Sequence, residues 1–394
     1  MIKRFVRRAW VLTLLACPTL VSAQTSLTPK PLVVDQYGEV TAVSIGGEEG
    51  LAYEIHLTNL NSYSVRIEEI QVLSAESLSA LRVLDRDQLN ENVLGLIGVA
   101  LEDGDMRLLP GGRRMVAILF LTFNHRSDIP AALVHRIKFS REDGGGQPGQ
   151  MVTESSPLKV DLRENPVVIG SPVSPGVWFV GNCVDAGRLG HRGSIQSRQG
   201  TPVAPQRFAV DLIKLADDGS LTTVPDPGEN REFHTYGAEV LAVADGTVVG
   251  ILDGVPENSP FLREMPIPMT RENMPGNHII LDIGSQRFAF YAHLQPGSLL
   301  VEVGDFVEKG QTIALLGNSG RSDAPHLHFH IAGSADLYAA DGQPFVFEAF
   351  DWIGSRDLLE MVNNSDATWS PGTVPPRNCI EEMPMSDSVI RFRD

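Results

Sequence analysis

The stretch that most constrains this chain is Ala324-Pro325-His326-Leu327-His328-Phe329-His330-Ile331. Imidazoles alternate here with Leu, Phe and Ile, and a period of two is that of a β-strand, whose successive side chains point to opposite faces. His326, His328 and His330 therefore share one face, and the apolar residues share the other. Neighbours on one face stand roughly 6.5–7 Å apart at the base, so one imidazole can hold a metal while the next reaches a water beside it. A catalytic zinc needs that division: three protein ligands, with a fourth position left open. For any one such residue, a solvated histidine on a half-buried strand is the plainer reading. Against it, three of the chain's ten histidines fall in this run.

At 394 residues the chain has room for two or three domains. It opens with basic Lys3, Arg4, Arg7 and Arg8, an apolar run from Ala9 to Leu20 too short to span a bilayer, and the small-residue site Val21-Ser22-Ala23. That is the pattern of a signal peptide cleaved after Ala23. Leu14-Leu15-Ala16-Cys17 also looks like a lipoprotein signal, but Pro18 follows at once and the apolar run continues to Val21. The expectation is a periplasmic or secreted chain without stable membrane insertion, since no later segment is long and apolar enough to span. Its 32 basic and 49 acidic residues give a formal net charge of −17, which argues against nucleic acid and anionic lipid as partners. With Cys17 in the leader, Cys183 and Cys379 remain as an even pair in a chain bound for an oxidising compartment, and a disulfide is expected.

Residues 24–165 show short alternating runs, such as Leu51 to Leu57, Val65 to Leu73 and Met115 to Phe123, broken by Asn59-Leu60-Asn61 and Pro110-Gly111-Gly112. They read as a β-sandwich accessory domain. Ser74 to Gly98 departs from this and suits short helices or a long loop, and Asp143-Gly144-Gly145-Gly146 reads as a hairpin tip. His56, His125 and His135 lack metal spacing. Prolines and glycines at 166–176 mark a linker, residues 177–368 form a second all-β domain, and 369–394 form a tail without core-forming periodicity. Within the second domain Pro256 to Pro275 holds five prolines, and loops of that length tend to border functional sites.

Tyr291-Ala292-His293-Leu294, Val303-Gly304-Asp305, Lys309-Gly310-Gln311, Gly317-Asn318-Ser319-Gly320 and Pro325-His326-Leu327-His328-Phe329 resemble, in order and spacing, the motifs of the LytM/lysostaphin-type zinc metallopeptidases. That resemblance implies a compact antiparallel β domain with a groove, one Zn2+ ion, and hydrolysis of peptide cross-links in bacterial peptidoglycan by metal-activated water. By the same resemblance His328 stands at a zinc-binding position, Asp211 at the metal-binding Asp, and His326 with His293 at the pair that orients water and stabilises the oxyanion. The expected architecture is an N-terminal β-sandwich followed by this metallopeptidase domain.

The chain departs from the family twice. The family's first zinc ligand is a His four residues before the Asp, where this chain has Arg207, and an always-charged guanidinium cannot ligate a metal. His330 stands where the family commonly has Glu. The missing ligand is assigned to His191, in the glycine-punctuated Gly187-Arg188-Leu189-Gly190-His191-Arg192-Gly193, ahead of His234, with His278 and His330 behind them. The other reading is a metal-free domain that binds peptidoglycan or activates a partner cell-wall hydrolase.

Overall fold

The structure, a computed structural model, describes residues 32–96, 105–142, 151–162, 165–261, 266–370 and 374–393. The leader expected at 1–23, with Cys17, and the turn Asp143-Gly144-Gly145-Gly146 lie outside the described residues. The fold is all-β, with short helical turns between strands.

Alternation builds the N-terminal strands. In Val65–Ser74 the side chains of Val65, Ile67, Ile70 and Val72 are buried while Arg66, Glu68, Glu69 and Gln71 reach the surface. An irregularity between Ile67 and Glu69 shifts the register by one and restores the apolar face after two consecutive glutamates. One antiparallel sheet centres on Glu48–Asn59 paired with Arg114–Phe123, and another on Val65–Ser74 paired with Ala132–Arg141. The two share a core that includes Leu51, Ile55, Ile67, Leu119, Ile137 and Phe139. Ser74 to Gly98 meets the short-helix expectation in part. A helical turn Arg86–Gln88, capped by the Asp85 side chain, runs into a π-helical turn Leu89–Val93, and the strands Ala80–Leu84 and Leu94–Leu96 flank them.

Two histidines are buried in these sheets. His56 lies edge-on to Tyr37, and His135 Nε2 sits 2.8 Å from the Tyr53 hydroxyl. Burial pushes both imidazoles from 6.5 down to about 4, with Arg114 and Arg207 adding to the effect at His56. Between those limits the unfolded chain binds more protons than the folded one, so stability falls as pH drops through the window. From pH 7 to 5 His135 alone is expected to withdraw roughly 2 kcal/mol. Urea unfolding in a chelator at the two pH values checks this, and coincident midpoints would refute it.

Eleven strands, among the described residues, join in the large C-terminal sheet. Its middle runs Gly176–Gly181, Val210–Leu215, Leu327–Ala332, Phe288–Leu294 and Asn277–Asp282, each antiparallel to the next. One face carries Trp178, Val180, Val210, Leu212, Leu327, Phe329 and Tyr291 into a core that also takes in Val43, Ile45 and Ala52 from the N-terminal sheets. Because side chains alternate, Asp211 and His328 project from the other face, and they are direct cross-strand neighbours.

Several sequence expectations need correction here. Residues 369–394 are not a trailing tail: Arg377–Glu382 and Ser388–Phe392 pair into the large sheet, and the Met383 amide donates to Ser44 O at 2.8 Å. Val389, Ile390 and Phe392 are buried there, a pattern too short to stand out beside the preceding prolines. The stretch 166–176 also holds a strand, Val167–Ile169, parallel to Phe345–Ser355, and a short helix, Leu358–Asn363, is capped by Asp357. Cys183 and Cys379 form no disulfide. Cys183 Sγ donates to Pro384 O at 2.9 Å, while Cys379 sits on a strand opposite Phe350. Both are buried as small apolar residues, and burial raises both thiol pKa values.

Candidate active site

The cross-strand register sets the centre of the groove. Asp211 Oδ1 is 3.2 Å from His328 Nδ1, and Asp211 Oδ2 accepts from Asn182 Nδ2 at 2.8 Å. The turn His191–Gly193 brings a third group, placing His191 Nε2 at 2.9 Å from the same Oδ1. The ligand atoms of His191, Asp211 and His328 thus lie within 4.8 Å of one another. Two imidazole nitrogens and one carboxylate oxygen are a donor set suited to zinc. His191 Nε2 points the same way: it is buried and, despite its short distance to Asp211, makes no hydrogen bond. A cation between these atoms would satisfy it.

Two further imidazoles border this centre. His326 Nε2 is 3.6 Å from Asp211 Oδ1, and the His293 ring lies 4.7 Å from that of His326 and 5.9 Å from that of His328. A backbone carbonyl only accepts hydrogen bonds, so the contacts of His293 Nδ1 to Ser319 O and His326 Nδ1 to Ala324 O, each 2.8 Å, place the proton on Nδ1. Both Nε2 atoms are then bare in the neutral rings. His293 has a φ of 65°, rare outside glycine, where the register of its strand pair shifts between Asn277 and Ile279. Such an irregularity re-aims a side chain at the end of a strand.

The electrostatics follow from burial and crowding. Burial opposes ionisation of Asp211, but the surrounding His191, His326 and His328 outweigh it and hold its carboxyl well below the usual range. Burial, then the neighbouring His191 imidazole, pushes His328 down to about 4. His293 and His330 are also held well below 6.5 by burial and by neighbouring imidazoles. His328, His293 and His330 are therefore neutral near pH 7, the state in which an imidazole can ligate a metal or accept a proton.

The remaining histidines are placed differently. His330 Nδ1 is 3.1 Å from His328 Nε2, and its ring stacks on Phe290 at 4.7 Å. His278 lines the same groove but turns its Nδ1 onto Gly276 O, and His234 lies beside Ser220. Met274 and Pro275, from the proline-rich insertion, form part of the groove wall. Sequence reasoning missed Asn182, which braces Asp211, and Gln206, whose Nε2 is 3.4 Å from His328 Nε2. The one local signal for Asn182 is its φ of 48°, a region Asn enters more readily than most residues, and that is not visible in a sequence.

A β groove with clustered imidazoles around one buried carboxylate defines the class of site, and comparison supplies the family. Residues 232–339 match Peptidase family M23, so the chain carries an M23 peptidase domain over that span. An uncharacterized metalloprotease of Haemophilus influenzae is 36% identical over 103 residues, 26% of this chain and 18% of that protein. The peptidoglycan DD-endopeptidase ShyB of Vibrio cholerae is 32% identical over 106 residues, 27% of this chain and 20% of that one. The matched stretch is thus a fifth or less of the length of these relatives. Among solved structures, the catalytic domain of the antimicrobial peptidase lysostaphin from Staphylococcus simulans is similar at 26% identity, covering 32% of this chain and 86% of that one with a TM-score of 0.20. His293, His326 and His328 fall within the M23 span, while Asp211 and His191 precede it.

Proposed function

We propose that this chain is an exported zinc metalloendopeptidase that hydrolyses peptide cross-links of bacterial peptidoglycan, with His191, Asp211 and His328 holding the metal. What carries the reading is the convergence of those three ligand atoms within 4.8 Å, in a chain whose M23 domain has cell-wall endopeptidases among its relatives. Zinc in such a site lowers the pKa of water and polarises a carbonyl. The protein's own groups do the rest. Asp211 stays ionised and supplies the negative charge of the ligand set. His326 and His293, each anchored through Nδ1, present bare Nε2 atoms that accept a proton from the attacking water and return it to the leaving amine. Once protonated, the same rings donate hydrogen bonds to the developing oxyanion. Peptidoglycan lies outside the cytoplasm, so cleavage of the leader after Ala23 belongs to this proposal.

Arg207, at the family's usual first ligand position, favours the second reading, a metal-free domain that binds the wall or activates another hydrolase. The placement of His191 beside Asp211 weakens it by offering a substitute ligand from another part of the chain. Incubating the purified mature chain with isolated cell walls separates the two. Chelator-sensitive release of fragments carrying new amino termini is expected, and wall binding without release would favour the non-enzymatic reading.

A further inference from the structure

Resting on the zinc reading above, we infer that Glu54, on the N-terminal sheets, is a positioning residue of the active site: through Arg192 it fixes the turn that presents His191. Glu54 is 2% exposed, midway along Glu48–Asn59. Its carboxylate is shared between two arginines of the C-terminal part. Oε1 accepts from Arg192 Nη2 at 3.0 Å, and Oε2 from Arg207 Nε at 2.8 Å, with Arg207 Nη2 at 2.7 Å. Arg192 is 1% exposed and also donates to Tyr53 O and Leu119 O, both at 2.9 Å, and to Val184 O at 3.2 Å. One guanidinium therefore ties two adjacent N-terminal strands to the segment leading into the ligand turn.

Among the described residues, the backbone hydrogen bonds of this turn close only on the turn itself. His191–Gly193 is a single 3-10 turn, closed by the Gly193 amide on Gly190 O and the Ser194 amide on His191 O. The His191 ring meets His328 edge-on at 4.4 Å and, as described above, makes no hydrogen bond through Nε2. Its orientation therefore depends on the anchoring of the next residue, Arg192. Arg207 shares the carboxylate without touching the turn. In place of the usual ligand, it turns toward Glu54 and Asp341. One carboxylate thus holds both the position where a ligand is missing and the neighbour of its replacement. Buried ion clusters rarely add stability over apolar packing, which suits a role in setting geometry. The N-terminal sheets then build the site, beyond any targeting or shielding.

Glu54→Gln would strand two buried guanidiniums and is expected to hinder folding, so Arg192→Met in the full mature chain is the informative variant. It keeps an apolar stem, leaves Glu54 paired with Arg207, and removes an Nε that has no hydrogen-bond partner. Arg207→Met is the matched control, taking the other cation from the same carboxylate without touching the His191 turn. Zinc affinity is measured by chelator competition, and unfolding midpoints are measured on the metal-free proteins. Arg192→Met is expected to weaken zinc binding about tenfold to a hundredfold, with a metal-free midpoint like that of Arg207→Met, whose affinity stays near wild type. Wild-type affinity in Arg192→Met, or equal losses in both variants that track their midpoints, would overturn the inference while leaving the zinc reading intact. A wild-type chain that binds no zinc would overturn both.

Discussion

Replacing His326 by Ala, or His293 by Asn, is expected to leave the metal bound and to lower turnover by about 10²–10⁴-fold, the range for losing a general acid–base group. Neither ring belongs to the cluster of His191, Asp211 and His328. Each is held through Nδ1 on a carbonyl, so each has a bare Nε2 to exchange protons. Asn suits position 293 because it tolerates the positive φ there and removes only the imidazole. Turnover on isolated walls, paired with metal content, checks this. Loss of zinc from His326→Ala with retention in His328→Ala would mean that the two roles are reversed.

The ligands should behave in the opposite way. Asp211→Ala and His328→Ala are expected to lose the metal, since each removes a donor from a set already at the minimum of three. His191→Ala should weaken zinc binding by more than about a hundredfold, beyond the tenfold to hundredfold that changes to groups supporting a ligand cost. His234→Ala is the control: that ring sits by Ser220, away from the cluster. Chelator competition on the four variants provides the measurement. Unchanged affinity in His191→Ala with collapse in His234→Ala would transfer the third ligand to His234.

The sequence carried the local half of this site. Alternation of His326, His328 and His330 with apolar residues marked the strand Leu327–Ala332 and its polar face, and the family resemblance singled out Asp211. What joins them was not legible, because strand pairing brings residues together without local trace. His328 and Asp211 are 117 positions apart, and Arg207 and Glu54 are 153 apart. Arg207 read only as a residue that cannot bind metal, and nothing local announced that it is buried against a carboxylate from the N-terminal sheets. Counting cysteines failed for a related reason: evenness says nothing about distance, and both thiols pack into the core as small apolar groups. The strands after residue 376 were overlooked because each is only five or six residues long and follows a proline-rich stretch.

The most direct test of the site is anomalous diffraction at the zinc edge from crystals of the mature chain grown with zinc. One peak per chain is expected, within bonding distance of His191 Nε2, Asp211 Oδ1 and His328 Nδ1. A peak bonded to Asp211 and His328 with His191 turned away, or no peak on this face of the sheet, would contradict the proposed centre.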